Sequence, residues 1–279
     1  MELGAWLASN TVSLTKAGIE SARLDCLLLL EDATSKDRAW LLAHPEFELS
    51  DKQCSHLHGQ ITRRTQHIPL AYIRGYVEFY GRRFIVNEHV LVPRPESEAM
   101  IGILKDTVMS SSTNLDELSI IDVGTGSGAL AVTAALELPS SEVIGLDIDP
   151  ACLEIADKNA RLLQATCSFI KSDLLESLPT IDGSRKFVIL ANLPYVPDDY
   201  PINQAASHEP KLALFAGPDG LDLYRRLWQQ IGHMPQLPAY VITEALLEQH
   251  QALATIARSV GYSMIKNEGL AQCFAPRLA

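Results

Sequence analysis

Apolar residues along this chain change their spacing near residue 76. Before it they cluster at helical intervals: Leu24, Leu27, Leu28 and Leu29 form one amphipathic block, and Trp40, Leu41 and Leu42 another, with no alternation of strand type. Ser50 followed by Asp51 predicts a helix start running toward Arg64. From 76 to 92 the texture turns β-branched and aromatic, Y-V-E-F-Y-G-R-R-F-I-V-N-E-H-V-L-V, which with Gly81 in its middle predicts a short β-hairpin. Pro93-Arg94-Pro95 ends regular structure there. From about 97 onward, strands and helices alternate. Strands are predicted at 118–123, 143–148, 168–170, 187–191 and 240–243, and helices at 129–136, 150–163, 221–231 and 248–260. That alternation predicts an α/β chain: a Rossmann-like, doubly wound, mostly parallel sheet over 95–279, preceded by a helical N-terminal domain at 1–75 and a β-hairpin linker at 76–94. The longest irregular stretch, 196–219, is of a length that usually carries function.

Composition narrows the setting. With 279 residues, 47% hydrophobic and 20% charged, the chain has ample material for a core and an ordinary globular profile. No apolar run approaches the roughly 20 residues that span a bilayer. The start, M-E-L-G-A-W, lacks the basic and apolar regions of a signal peptide, so a cytoplasmic location without a membrane segment is expected. The five cysteines are scattered, with no C-x-x-C pair, and the eight histidines form no ligand pattern; His56 and His58 stand without companions. Reduced thiols and no metal are expected. The net charge of -11 is uneven: the first 94 residues hold eleven basic and eleven acidic side chains, so the excess lies entirely in the α/β part. Such a part repels a nucleic-acid backbone unless a local patch among Arg63, Arg64, Arg74, Arg82, Arg83 and Arg94 overcomes it.

The chemistry begins at Asp122-Val123-Gly124-Thr125-Gly126-Ser127-Gly128, where the first strand of the alternating region ends. Alternate glycines let the backbone turn sharply and approach a ligand, and the following helix offers free N–H groups. Asp147 ends the second strand, 23 residues after Gly124, where a carboxylate can accept from both hydroxyls of a ribose. A nucleoside-containing cofactor follows. Gly124-x-Gly126-x-x-Ala129 also fits the dinucleotide fingerprint. Two details favour S-adenosylmethionine: Asp122 before the loop could face the methionine ammonium and would repel a pyrophosphate, and Ser172-Asp173-Leu174 suits an adenine amino group and ring.

The fourth strand runs into Asn192-Leu193-Pro194-Tyr195. In a doubly wound sheet that end faces the ligand. A planar –NH₂ acceptor, as in an amide or aromatic amine, is a poor nucleophile because its lone pair is delocalised. The Asn192 side-chain oxygen and the Leu193 carbonyl can accept its two N–H groups and favour a more tetrahedral nitrogen; the Tyr195 ring can lie against the flat group, and Pro194 stiffens the turn. Catalysis of this kind is positioning and preorganised polarity, with no metal and no covalent intermediate.

The chain resembles the HemK/PrmC family of protein-glutamine methyltransferases. The resemblance is carried by R-T-Q-H-I-P-L-A-Y-I-R-G-Y-V-E-F-Y-G-R-R-F-I-V-N-E-H-V-L-V-P-R-P-E-S-E at 64–98, by G-I-E-S-A-R-L-D near residue 18, and by H-E-P-K-L-A-L-F-A-G-P-D-G-L at 208–221. It implies a class I S-adenosylmethionine-dependent methyltransferase that releases S-adenosylhomocysteine. The implied reaction methylates the side-chain nitrogen of the glutamine in the Gly-Gly-Gln tripeptide of peptide-chain release factors. By position it implies cofactor contacts at Gly124, Thr125, Gly126, Ser127, Gly128, Asp147, Leu174 and Asn192, with substrate contacts at Asn192, Leu193, Pro194 and Tyr195. The N-terminal domain would help hold the release factor. Leu193 replaces the first proline of the family's Asn-Pro-Pro-Tyr, Ser97 stands where Thr is usual, and the tail from 267 on is looser than the family's closing strands. Other acceptors with the same planar –NH₂ are a ribosomal-protein glutamine and adenine in nucleic acid, the latter disfavoured by charge and by the absence of a recognisable nucleic-acid module. A dehydrogenase or a non-catalytic protein on the same fold is the remaining reading.

Overall fold

A computed structural model describes residues 1–110, 115–183 and 185–277. They divide into two compact units: Met1–Tyr76 together with Ile202–His208, and Val77–Pro201 together with Glu209–Ala279. The first unit is helical: α1 (Leu3–Lys16), α2 (Ala22–Thr34), α3 (Arg38–Ala43), α4 (Asp51–Thr65) and α5 (Leu70–Arg74). Leu3, Trp6, Leu7 and Leu14 of α1 meet Cys26, Leu29 and Leu30 of α2 and Leu57 and Ile61 of α4 in one core, at spacings that repeat along one helix face. The two sequence blocks divide: Leu27, Leu29 and Leu41 are buried, whereas Leu24 and Leu42 face outward. Ser50 opens α4 with a reciprocal cap, its Oγ accepting from the Gln53 N–H while the Gln53 side chain accepts from the Ser50 N–H at 2.9 Å. Arg64 is no surface charge: it lies buried, its Nε donating to Asp25 at 2.7 Å.

A hairpin follows, β1 (Tyr76–Phe79) and β2 (Arg82–Ile85), shorter than the apolar texture of 76–92 predicts, and from Val77 on it belongs to the second unit. Phe79 and Phe84 lie in the core of this unit. After it come α6 (Glu98–Ser110), β3 (Leu118–Val123), α7 (Ala129–Glu137), β4 (Glu142–Asp147), α8 (Pro150–Leu163), β5 (Ser168–Lys171), β6 (Lys186–Ala191), α9 (Asp222–Gly232), β7 (Tyr240–Glu244), α10 (His250–Ser259), β8 (Tyr262–Glu268) and β9 (Ala271–Pro276). The sheet order is β5-β4-β3-β6-β7-β9-β8, with β5 through β7 parallel and β9 antiparallel to both neighbours. Both faces are covered, which is why the strands read as unbroken apolar runs. Ile120, Val188 and Leu190 pack on one face with Met100, Ile103 and Leu104 of α6 and with α7. Ile121, Val123, Phe187 and Ile189 pack on the other with Leu227, Trp228 and Ile231 of α9.

Chain order reverses at β3: β4 and β5 lie on one side of it, β6 and β7 on the other. Ligands bind at such a switch point, beyond the carboxyl ends of the strands. Val123 is level with Leu146 and with Ala191, so the segments that follow β3, β4 and β6 leave the sheet at one edge together. The tail differs from its sequence reading. Residues 271–276 form β9, an interior strand whose Ala271, Cys273 and Phe274 are fully buried. A-Q-C-F-A-P holds no β-branched residue, so its strand character comes from pairing on both sides rather than from propensity. No helix among the described residues is long and apolar enough to cross a membrane.

Candidate active site

The glycine loop closes over the end of β4. The N–H groups of Gly124 and Thr125 both donate to the Leu146 carbonyl at 2.8 Å, and Gly126 N–H donates to Asp147 Oδ2 at 2.8 Å. Gly124 has φ +74°, and a Cβ there would meet the Leu193 side chain at 3.0 Å. Gly128 (φ +79°) lets α7 approach α8, since a Cβ would stand 3.0 Å from the Ala156 methyl. Asp147 Oδ1 accepts the Asp149 N–H at 3.0 Å; burial pushes this carboxyl above the usual range against those two backbone donors.

Gly124, Thr125, Gly126, Ser127, Asp147, Leu174, Asn192, Leu193 and Pro194 line one cavity. Gly128 and Tyr195 stand outside that lining. Leu174 is held in the left-handed region, φ 52°, which side chains rarely adopt. Ser35 and Gln164 take the same conformation as helix C-caps, so at Leu174 it is a turn geometry that sets the side chain in the cavity wall. Sequence reasoning missed further lining residues: Phe79, His89 and Leu91 from the hairpin region, Ser97, Leu223 and Arg226. The hairpin's aromatic texture was the available signal, but it is satisfied equally by packing.

The polar side chains around the loop have defined partners. Asp122 does not line the cavity. Its Oδ2 accepts from the Thr125 hydroxyl at 2.6 Å and the Ala131 N–H at 3.1 Å, bracing the loop from inside, and burial pushes its carboxyl up to about 7. Asp173 lines the cavity and is paired there with Arg226 at 2.7 Å. Arg94 lines the cavity and pairs with Glu209. Glu209 is buried and also accepts the Val92 N–H at 3.0 Å, so it pins the strand-like segment that enters the site. His208 Nε2 lies 3.0 Å from the Gln66 carbonyl within the helical unit. Of the suggested arginine patch, Arg64, Arg74, Arg82 and Arg94 are all committed to carboxylates. Among the described residues, no three His, Cys, Asp or Glu groups gather as metal ligands.

At the end of β6 the turn is braced from behind. Asn192 Nδ2 donates to Ser97 Oγ at 2.8 Å. That leaves Oδ1 as the end of the amide available to a substrate. The Leu193 side chain is buried beside Gly124, and its N–H reaches the Tyr224 hydroxyl only at 3.4 Å, so the proline usual in the resembled family would forfeit little here. Tyr195 Oη donates to Glu244 Oε1 at 3.0 Å, and its carbonyl accepts from Gln249 Nε2 at 2.7 Å. Burial drives the Tyr195 hydroxyl far above its ordinary range, and the adjacent Glu244 adds to the shift. Tyr195 therefore remains a neutral donor.

A second cavity, of about 620 Å³, lies between 175–181 and α9. It is larger, but the glycine loop, Asp147 and Asn192 are not among its lining residues. The switch-point cavity is where the chemistry converges.

Residues 5–75 match the family model of the PrmC N-terminal domain, and residues 120–208 that of a methyltransferase domain. The release factor glutamine methyltransferase of Koribacter versatilis is 39% identical over 222 residues, covering 78% of this chain and 77% of that protein. Its counterpart of the same description in Bacillus subtilis is 35% identical over 244 residues, covering 86% and 83%. A bifunctional methyltransferase of Rickettsia felis is 33% identical over 92% of this chain, which spans 54% of that longer protein. Among solved structures, the hMettl16 catalytic domain superposes with a TM-score of 0.52 at 13% identity, covering 81% of this chain and 82% of that one, a likeness of fold.

Proposed function

We infer the reaction from a plain premise: the chain belongs to the family of release factor glutamine methyltransferases that carry a PrmC N-terminal domain. It is a methyltransferase that takes its methyl group from S-adenosylmethionine, and its acceptor is the side-chain nitrogen of the glutamine in the Gly-Gly-Gln tripeptide of a peptide-chain release factor. The observation that carries this reading is the Asn192–Ser97 hydrogen bond, which commits the amide NH₂ inward and leaves a hydrogen-bond acceptor for a primary amide at the mouth of a glycine-loop cavity.

The residues present fit the cofactor. Gly124 and Gly126, both with positive φ, make a wall without side chains, Asp147 offers carboxylate oxygens for vicinal hydroxyls, and Leu174 supplies an apolar face. When bound, S-adenosylmethionine supplies an electrophilic methyl on a sulfonium. The protein's own work is to hold the acceptor. Asn192 Oδ1 and the Leu193 carbonyl accept the two N–H groups of the glutamine amide, which draws its nitrogen toward tetrahedral geometry. Pro194 fixes the turn, and Tyr195, tied through its hydroxyl to Glu244, shapes the substrate side. Methyl transfer from the sulfonium to the neutral nitrogen leaves an N-protonated, cationic N-methylamide, a strong acid whose extra proton passes to water. The PrmC N-terminal domain holds the release factor, and the location that goes with a translation factor is the cytoplasm.

Incubation of the protein with a purified release factor and S-adenosylmethionine, followed by peptide mass spectrometry, is expected to show one added methyl on the Gly-Gly-Gln glutamine. Methylation of a ribosomal-protein glutamine or of adenine instead, with cofactor binding intact, would overturn the substrate assignment. Cofactor recognition has its own test. Asp147→Ala is expected to weaken S-adenosylhomocysteine binding about 10- to 100-fold by calorimetry, the worth of one or two charge-assisted hydrogen bonds.

A further inference from the structure

We propose that the Tyr224 hydroxyl clasps the two peptide groups on either side of Asn192, making Tyr224 a positioning residue for methyl transfer. For its effect on rate the proposal rests on the glutamine reading above; the clasp itself does not.

Tyr224 stands near the start of α9, fully buried, in one core cluster with Ile189, Leu193 and Leu227. A buried phenol must satisfy its hydroxyl, and here the partners are main-chain groups. The hydroxyl donates to the Ala191 carbonyl at 2.9 Å and to the Glu244 carbonyl, and its oxygen accepts the Leu193 N–H at 3.4 Å. One proton is thus shared between carbonyls at the ends of β6 and β7. The sheet register of β6 stops at Ala191, opposite Val123 on one side and Thr243 on the other, so the ladder no longer orients the next residue. That residue is Asn192. Peptide groups are planar, so the chain turns about Asn192 only through its φ and ψ. The Ala191 carbonyl belongs to the peptide group that φ rotates, and the Leu193 N–H to the one that ψ rotates. A single oxygen that holds both fixes the two angles and, with them, the direction of the Asn192 side chain. Ser97 then holds the far end, 2.8 Å from Nδ2. Burial drives the Tyr224 hydroxyl far above its ordinary range, and Glu244 adds to the shift, so the hydroxyl keeps the proton it donates. Leu193 gives the clasp a further use in this chain. A proline there would lock its own φ and offer no N–H. Leucine leaves φ free and supplies an N–H, the longest of the three contacts.

Tyr224→Phe removes the oxygen and keeps the ring. With release-factor glutamine as acceptor, and well below the melting midpoint, kcat is expected to fall about 10- to 100-fold, the cost of a small misplacement at a reacting centre. KM and S-adenosylhomocysteine affinity should stay within about threefold of wild type, because the cofactor wall is anchored elsewhere, at Leu146 and Asp147. In the Asn192→Ala background the same substitution should change kcat by less than about threefold, since the side chain it aims is gone. A readout without turnover separates the clasp from the function assigned above. Ala191-Asn192 is the one Ala–Asn pair in the chain, so carbon-13 at alanine carbonyls with nitrogen-15 at asparagine marks a single peptide group for NMR. Its carbonyl shift should move upfield in Tyr224→Phe, as it does when a carbonyl loses a hydrogen bond. Should that variant not fold, the wild-type hydroxyl proton carries the test: it is expected as a slowly exchanging resonance, and exchange too fast to observe overturns the clasp. An unmoved carbonyl shift in the folded variant overturns it too. So does a kcat within about threefold of wild type, a loss of KM or cofactor affinity in step with kcat, or an undiminished loss in the Asn192→Ala background. A wild-type enzyme that leaves glutamine unmodified sinks the substrate reading alone, and the carbonyl shift still decides the clasp.

Discussion

Asn192→Ala is expected to lower kcat by about 10²- to 10³-fold, the range for removing one preorganised polar contact to a reacting group. The argument turns on when the hydrogen bond matters. In a ground-state amide the nitrogen is planar, and an acceptor at its N–H adds modestly to binding. As the nitrogen becomes tetrahedral and begins to carry positive charge, its N–H groups become stronger donors, and the bond to Asn192 Oδ1 gains strength. Interactions that grow toward the transition state act on kcat rather than KM. The elements that form the cofactor wall are separate: Gly124 and Thr125 are anchored to Leu146, and Asp147 to Gly126 and Asp149. Cofactor affinity should therefore change little. The truncation leaves Ser97 Oγ without its Asn192 donor, a stability cost of about 1 kcal/mol. Single-turnover rates with a release-factor fragment, beside calorimetry with S-adenosylhomocysteine, separate the two effects. Full activity in the folded variant would remove Asn192 from the chemistry.

The glycine loop and the turn after β6 are legible in the sequence because each is local along the chain. A glycine loop declares itself through alternate glycines that a sharp backbone turn requires, whereas Asn-Leu-Pro-Tyr after an apolar strand is met equally by an ordinary turn and gains meaning only from its place at the end of a sheet strand. The parallel core was legible too, since strands buried on both faces read as continuous apolar runs, and β3 and α8 fall where that texture placed them. What the sequence hid were relations between distant positions. Nothing near Glu244 signals that it meets Tyr195, 49 residues away, nor that Glu209 accepts from Val92 across 117. Arg94 likewise finds its partner 115 residues away, in the buried carboxylate of Glu209 that also accepts the Val92 N–H. Asp122 stands in sequence where it could face a methionine ammonium and repel a pyrophosphate; in the fold the Thr125 hydroxyl and Ala131 N–H claim it first. β9 escaped because strand propensity is weak where position between two partners supplies the stability.

Gly220→Ala is the second large effect, and it comes from a residue with no chemistry. Gly220 has φ +74°, and a Cβ there would lie 2.0 Å from the Tyr195 carbonyl oxygen and 2.6 Å from Gln249 Nε2. The first obstacle is backbone, so no rotamer change relieves it. Gln249 Nε2 donates to both the Tyr195 and Asp219 carbonyls, at 2.7 and 2.8 Å, clamping the catalytic turn to the start of α9. A methyl group between them must break that clamp or move Tyr195. Left-handed backbone strain and the clash together should cost roughly 3 kcal/mol. At about 2–4 °C per kcal/mol for chains of this size, the melting midpoint should fall roughly 6–12 °C. Activity measured well below that midpoint should still drop, because the displaced carbonyl belongs to the turn that carries Asn192 and Pro194. Gly59→Ala supplies the contrast. It lies within α4, and a Cβ there meets nothing within 4 Å, so it should be neutral or slightly stabilising through its effect on the unfolded chain. Equal behaviour of the two variants would show that Gly220 is merely a loop residue. A large midpoint shift with undiminished low-temperature kcat would show that the clamp stabilises the fold without aiming the turn.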